Sequence, residues 1–372
     1  MPGARVKLAV QGLTKRFSPQ VTVGPLSFEV MDGEFFSLLG PSGCGKTTTL
    51  RCIGGFETLS EGSILLDGQR LDDRPPHRRD VGLVFQSYAL FPHLTVFDNI
   101  GFGLRLRKVD KAEIARRVRQ MLELVDLPDV AGRYPAQLSG GQQQRVAIAR
   151  SLVLEPSLLL FDEPLSNLDF KLRIQMRYEL RDLQRRLGTT AVYVTHDQTE
   201  ALALSDRIAV LSQGRIEQLG PPGDIYERPA SAFVADFIGS SNLVKARVRG
   251  PGGGADTAVE TEHGMVLTIP HVADAAGTPV TLLLRPERFQ MTAGNDGDPR
   301  AEPVANRTVA NRFTARVRDV TYLGEDLHLR VVAAEQQPLL VSIKNSKGTR
   351  AITSGAAITL VIDPEDIHVL RR

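Results

Sequence analysis

The sequence predicts an α/β domain built on a mainly parallel sheet with a helical insertion, followed by a small all-β barrel. Three observations carry this. Short apolar runs at 34–40, 158–161 and 191–195 are closed by Gly40, Asp162 and His196 and alternate with helical stretches, one of them starting near Gly45. Such runs are the pattern of parallel strands covered on both faces. Within about 88–155 the character turns helical: Ile114, Val118, Met121, Leu122 and Val125 recur at helical spacing. Beyond Phe237 the texture changes to short β-like runs at 243–248, 280–284, 313–320, 327–332, 339–343 and 358–362. Loops rich in Gly, Pro, Asn and Asp separate them, notably 250–256 and 292–306, which points to a small barrel. The expected domains are therefore 1–237 and 238–372.

Length agrees with that division, since 372 residues exceed one ordinary domain of about 150. Lys and Arg number 45 against 43 Asp and Glu, so no overall field draws the chain to nucleic acid or to an anionic membrane. The two cysteines, Cys44 and Cys52, read as lying on one helical stretch, about 12 Å apart and too far for a disulfide. Free thiols imply a reducing compartment, most simply the cytoplasm. Arg5 and Lys7 are not followed by an apolar signal-peptide core. No run reaches the roughly 20 apolar residues of a spanning helix, and 151–161 is broken by Glu155 and Pro156. A role at a membrane would be exercised from its side.

Gly40-Pro41-Ser42-Gly43-Cys44-Gly45-Lys46-Thr47 fits the phosphate-loop pattern G-x-x-x-x-G-K-[ST], with Thr48 next in the chain. Glycines let backbone N–H groups close around phosphate oxygens, and the helix that follows adds its dipole. Lys46 would neutralise the β- and γ-phosphates of ATP, and the Thr47 hydroxyl would ligate Mg²⁺. An ordinary glycine-rich turn would lack the apolar strand before it and the helix after it. The run 158–161 ends in Asp162 and Glu163, where one carboxylate can hold the Mg²⁺ shell and the next can deprotonate the attacking water. Two acids after an apolar run also begin many solvated loops, so the phosphate loop decides between these readings.

Leu138-Ser139-Gly140-Gly141-Gln142 offers a second preorganised anion site ahead of a helix, and equally a capping box between Ser139 and Gln142. This segment resembles the signature of the ABC ATPases. The order of landmarks resembles that family too: Phe17, the phosphate loop, Gln86, the signature, the acid pair, Ser166-Asn167-Leu168-Asp169, and His196. The resemblance implies a phosphate-loop NTPase of ABC type and a set of roles. Phe17 would stack on adenine, although a lone phenylalanine also fits a core. Gln86 would touch Mg²⁺ or the attacking water, Asp162 would support the metal, Glu163 would be the general base, and His196 would contact the γ-phosphate. Ser139, Gly140, Gly141 and Gln142 would cover ATP held by a second copy, with Asp169 acting across the dimer interface. Cys44, inside the loop, is either a thiol activated by the helix N-terminus or a tolerated small residue.

The stretch 88–93 corresponds in that family to the groove for a membrane subunit, and Leu90 and Phe91 fit the helical core equally. Phe237-Ile238-Gly239, Asn242 and Leu284-Arg285-Pro286-Glu287 resemble the OB- or TOBE-like accessory domain of importer ATPases that handle polyamines, ferric iron, sulfate and maltose. Residues 80–95 look most like the polyamine group, with iron(III) importers next. The implied partners are two permease subunits, a substrate-binding protein and a second copy, at the inner face of the membrane and without nucleic acid. A phosphate-loop kinase or synthetase would lack the signature and Gln86. An ABC ATPase of DNA repair or translation would share every motor motif but add coiled coils, zinc insertions or a second motor. A pure binding module would not need Glu163 and His196.

Overall fold

The computed structural model describes residues 5–253, 256–292, 311–333 and 336–370. The chain divides into two compact units, 1–225 and 226–372.

The first unit begins with an antiparallel sheet of β1 (Val6–Ser18), β2 (Val21–Met31), β4 (Glu61–Leu66) and β5 (Gln69–Arg70), in the order β2-β1-β4-β5. Alternation in the sequence explains it: Leu8 and Val10 face inward with Phe28 and Val30, and polar neighbours face out. The main sheet has the order β10-β9-β3-β8-β7-β6, from β3 (Phe35–Leu39), β6 (Val81–Val84), β7 (Leu158–Asp162), β8 (Thr190–Thr195), β9 (Arg207–Ser212) and β10 (Arg215–Gly220). All its pairings are parallel except β9 with β10. Every residue of β3, β7 and β8 is buried, as a sheet covered on both faces requires.

One cover is α1 (Lys46–Gly54), whose Leu50 and Ile53 join Leu8, Phe28, Phe36, Leu158 and Val192 in one core. The other is built from α2 (Val96–Leu106), α3 (Lys111–Leu124) and α4 (Gly140–Leu152), which lie between β6 and β7, with α5 (Phe170–Leu187). Ile114, Val118 and Leu122 of α3 are buried there, whereas Met121 is only partly so. Thr95 and Asp110 cap α2 and α3 by accepting from the backbone N–H of Asp98 and Ala112. α6 (Gln198–Leu204) follows β8, and α7 (Pro222–Glu227) spans the division between the units. Cys44 lies in the loop before α1 and not on a helix with Cys52; both thiols are free and buried. No helix among the described residues is long and apolar enough to cross a membrane.

The second unit contains α8 (Ala232–Phe237) and two five-stranded antiparallel sheets. One has the order β13-β12-β11-β14-β20, from β11 (Asn242–Gly253), β12 (Asp256–Thr261), β13 (Val266–Ile269), β14 (Pro279–Leu284) and β20 (Ile367–Leu370). The other has the order β15-β19-β16-β17-β18, from β15 (Gln290–Thr292), β16 (Asn311–Tyr322), β17 (Asp326–Val332), β18 (Pro338–Lys344) and β19 (Ala357–Ile362). One core joins them. Two buried asparagines bridge the sheets by imitating backbone. Asn242 donates to the carbonyls of Leu284 (3.1 Å) and Leu340 (2.8 Å) and accepts from Leu340 N–H (2.7 Å). Asn311 exchanges bonds of 2.6 and 2.8 Å with the backbone of Thr268.

Strands β12, β13, β15 and β20 are additional to those expected; within the stretch read as a loop, Gly250, Pro251 and Gly253 of β11 pair with Ala258, Thr257 and Asp256 of β12. Of the loop expected at 292–306, residues 293–306 lie outside the described residues. The division also falls before α8, where the sequence placed it after Phe237. Arg285 supplies the reason: its buried guanidinium donates to the carbonyls of Tyr226 (2.9 Å), Ala235 (3.0 Å), Ile238 (2.7 Å) and Ser240 (3.2 Å), holding this segment to β14. It also lies 4.3 Å over the Tyr226 ring. Arg285→Met should leave those carbonyls unpaired and destabilise the second unit by about 3 kcal/mol. A lowered urea midpoint would show this, and an unchanged one would mean that water replaces the guanidinium.

Candidate active site at the sheet edge

Register gathers the site. Leu39 of β3 pairs with Thr195 of β8, Asp162 of β7 with Val194, and Val84 of β6 with Phe161. The strands therefore end together, and the residues that follow them, Gly40, His196, Glu163 and Gln86, emerge along one edge, the usual place for a ligand on a parallel sheet. The 40–47 loop turns there into α1. At Gly40 a Cβ would lie 2.3 Å from the Leu211 carbonyl oxygen. At Gly45, with φ +106°, it would lie 2.6 Å from Val23. Only glycine allows this close, left-handed wrapping.

Lys46 is 5% exposed, and its ammonium donates to the carbonyls of Gly40 (2.7 Å) and Pro41 (2.9 Å). It is thus coiled back within the concavity of the loop. Thr47 donates from its hydroxyl to Asp162 (3.1 Å), leaving the oxygen's lone pairs for another partner. Burial pushes the Asp162 carboxyl above its ordinary value; the Thr47 bond, Arg51 and Lys46 only partly offset this, and Glu163 adds to it. A buried carboxylate beside a hydroxyl is an oxygen donor set that suits a hard divalent cation.

Glu163 follows at φ +45°, an uncommon conformation for a residue with a side chain, held by its N–H bond to the Val194 carbonyl (3.0 Å) and by Ser166, whose hydroxyl donates to the Glu163 carbonyl (2.9 Å). Its carboxylate meets His196 Nδ1 at 3.0 Å. Gln86 is exposed, and its backbone carbonyl accepts from Asn167 Nδ2 (2.8 Å). The four chains of residues expected to meet ATP and metal, those around 40–48, Gln86, Asp162–Glu163 and His196, are thus brought to one edge.

Ser139 and Gln142 form the capping box in full: Ser139 Oγ accepts from Gln142 N–H (3.4 Å) and Gln142 Oε1 accepts from Ser139 N–H (3.0 Å). Gly140 and Gly141 pack against Leu168 and Leu172, on either side of Asp169, which caps α5 by accepting from Leu172 N–H (3.1 Å). Among the described residues no hydrogen bond joins this segment to the phosphate loop. Phe17 is 53% exposed, which removes the core reading, and the Lys15 ammonium lies 5.4 Å from its ring centroid. Lys15 pairs with Val23, the residue against Gly45, so the β1–β2 hairpin borders the loop. Cys44 is not an activated thiol. Burial pushes its pKa up, and Lys46, 3.7 Å from the sulfur, offsets this only in part.

Glu200 escaped sequence reasoning. It is 3% exposed and accepts from Tyr193 OH (2.8 Å) and Thr195 Oγ (2.8 Å), fixing the strand end from which His196 projects. Burial raises its carboxyl above the ordinary range. A lone glutamate in a short helix gives no sign of this.

The fold and this edge define a nucleotide-binding ATPase of the phosphate-loop class. The ABC transporter family matches residues 23–166, and the TOBE domain family matches residues 282–370. A dimeric post-hydrolysis structure of an ATP-binding cassette bound to ADP and Pi is 32% identical, with a TM-score of 0.51, covering 58% of this chain and 98% of that one. The structure of cbiO1 from Clostridium perfringens, part of the ABC transporter complex cbiONQ, is 30% identical, with a TM-score of 0.56, covering 59% and 90%. The chain belongs to the ABC transporter family, among its import ATP-binding proteins with a C-terminal TOBE domain. The spermidine/putrescine import ATP-binding protein of Thermobifida fusca is 47% identical over 98% of this chain and 93% of its own length. That of Rubrobacter xylanophilus is 45% identical over 99% and 94%.

The raised pKa of Asp162 has a consequence for stability. A carboxyl whose folded pKa is raised costs stability once it ionises: the penalty is absent below its unfolded pKa and complete above its folded one. Asp162→Asn should therefore raise the melting temperature of the nucleotide-free protein at pH 7 relative to the parent, the gain shrinking as pH falls. It should also lower Mg²⁺-dependent ATPase by about 10²-fold or more. Scanning calorimetry at two pH values checks the first effect, and a drop in melting temperature would contradict the burial argument.

Proposed function

We propose that this protein binds MgATP at the loop between β3 and α1 and hydrolyses it in a site shared by two copies, to energise polyamine uptake. The observation that carries the hydrolytic part is the pair of contacts side by side at the strand ends, Thr47 with Asp162 at 3.1 Å and Glu163 with His196 at 3.0 Å. Lys46 exchanges its loop carbonyls for β- and γ-phosphate oxygens, while the N–H groups of Gly43 to Thr48 cradle them. Thr47, Asp162 and Gln86 are the residues that would hold Mg²⁺, which would supply positive charge to neutralise the phosphates. Glu163 accepts the proton of the attacking water on its carboxylate, and His196 holds that carboxylate by Nδ1 while facing the γ-phosphate. Phe17 stacks on adenine.

The signature Ser139–Gly141, unconnected to its own loop, meets the ATP of a second copy, and Asp169 beside it crosses the same interface. The dimeric relative bound to ADP and Pi supports this reading. The cargo reading rests on the relatives named for spermidine and putrescine import, which match both units. Two permease subunits and a substrate-binding protein complete the importer, with this chain on the cytoplasmic face.

Glu163→Gln keeps shape and removes the base, so MgATP affinity should hold while turnover falls by about 10²-fold or more. A single-turnover assay showing parental rates would move the base to another group. The shared site is tested by mixing Lys46→Ala with Gly141→Asp, each inactive alone. In a mixed dimer one of the two sites is intact, so ATP-dependent association and some hydrolysis should return. Two folded proteins that regain neither would refute it. Uptake of labelled spermidine by vesicles carrying the cognate permease tests the cargo; transport of iron(III), sulfate or maltose in its place would reassign it.

A further inference from the structure

The segment after Gln86 is held in a conformation that its residues do not favour. Tyr88 and Ala89 have φ of +60° and +50°, the left-handed region where a side chain crowds its own backbone. Their carbonyls point at Arg150, in the last turn of the signature helix α4. Arg150 Nη2 donates to Tyr88 O (2.9 Å) and Nη1 to Ala89 O (2.7 Å), and the guanidinium lies 5.6 Å over the Phe91 ring. No carboxylate pairs with it among the described residues, whereas Arg145 on the same helix is paired with Glu179. Burial lowers its pKa. An apolar side chain would fill this space without desolvating a charge.

The same segment touches the other end of α4. Tyr88 is 7% exposed, and a Cβ on Gly140 would lie 4.0 Å from its hydroxyl, which has no hydrogen-bond partner. Arg150 thus bonds the segment to the last turn of α4, Tyr88 packs beside the start of that helix, and Asn167 holds Gln86 O to the acid-pair loop.

We infer that Arg150 is a positioning residue that locks the 86–91 segment and the signature helix into one body, so that the nucleotide held by one copy sets the signature which that copy lends to its partner. This rests on the shared-site reading. In this role Arg150 acts through the carbonyls of Tyr88 and Ala89. A lysine cannot reproduce its two parallel bonds.

The test compares Arg150→Met and Arg150→Lys in the full-length chain. Binding of a fluorescent ATP analogue to the monomer should stay within about twofold of the parent, because the phosphate loop is untouched. Turnover per folded molecule should fall about tenfold, and the Hill coefficient for ATP should drop to about 1 in both variants. A residue of purely structural worth would lower the melting temperature and leave the Hill coefficient alone. Should Arg150→Met not fold, Arg150→Lys retains the cation and carries the test. Parental Hill coefficients in the variants, with hydrolysis restored in the Lys46→Ala and Gly141→Asp mixture, would overturn this inference and leave the shared site standing. A parental Hill coefficient of about 1 with no restored hydrolysis would overturn both.

Discussion

The parallel registration of β3, β7 and β8 is the constraint on which the rest depends. Strands buried on both faces cannot shift by one residue without turning charged ends into the core. That rigidity fixes where Leu39, Asp162 and Thr195 stop, and so where the loop, the acid and the histidine begin. The core beneath the edge is packed with aromatic rings, Phe35, Phe161 and Tyr193, whose centroids lie 5.6–6.5 Å apart. Motif residues then need only short, stiff backbone to reach one another.

The edge is also where the fold gives up stability. Asp162 is ionisable and buried, Lys46 is buried against carbonyls, and Glu163 sits at positive φ. Each is unfavourable by itself, at about 1–3 kcal/mol for a strained residue. They persist because the neighbouring sheet over-determines them: the N–H of Glu163 completes a bond to β8. Local disfavour of this kind concentrates at sites whose missing partner is a ligand. The second unit shows the opposite economy, since Asn242 and Asn311 are buried polar groups with every role satisfied by backbone.

Much of this was legible in the sequence because the relevant features are local. Gly40 to Thr47 form a continuous motif between a buried strand and a helix, and Ser139 announces its cap three residues before Gln142. Periodicity located α3 and most of the second-unit strands. What remained hidden is non-local or conformational. The antiparallel β1–β2 sheet is written in alternation at 6–10 and 26–30, overshadowed by the motif that follows it. Glu200 and Arg150 act on partners brought near only by folding, and nothing in their sequence neighbourhoods marks them out; Asn167 lies in a recognised landmark, but its bond to Gln86 O is equally a product of folding. Phe17 was ambiguous until its exposure excluded a core. For Cys44 the sequence left an activated thiol and a tolerated small residue both open, and burial, which raises its pKa, favours the second.

The cap at Ser139 separates two uses of one hydroxyl. Its oxygen lone pair is engaged by Gln142 N–H, while its hydrogen remains available to an acceptor outside the helix. Aspartate would start the helix as well but offer no hydrogen and would repel an anion; alanine would offer neither. The choice of serine thus lets the helix keep its beginning whether or not an anion arrives, so docking and undocking at this surface need not fray the chain.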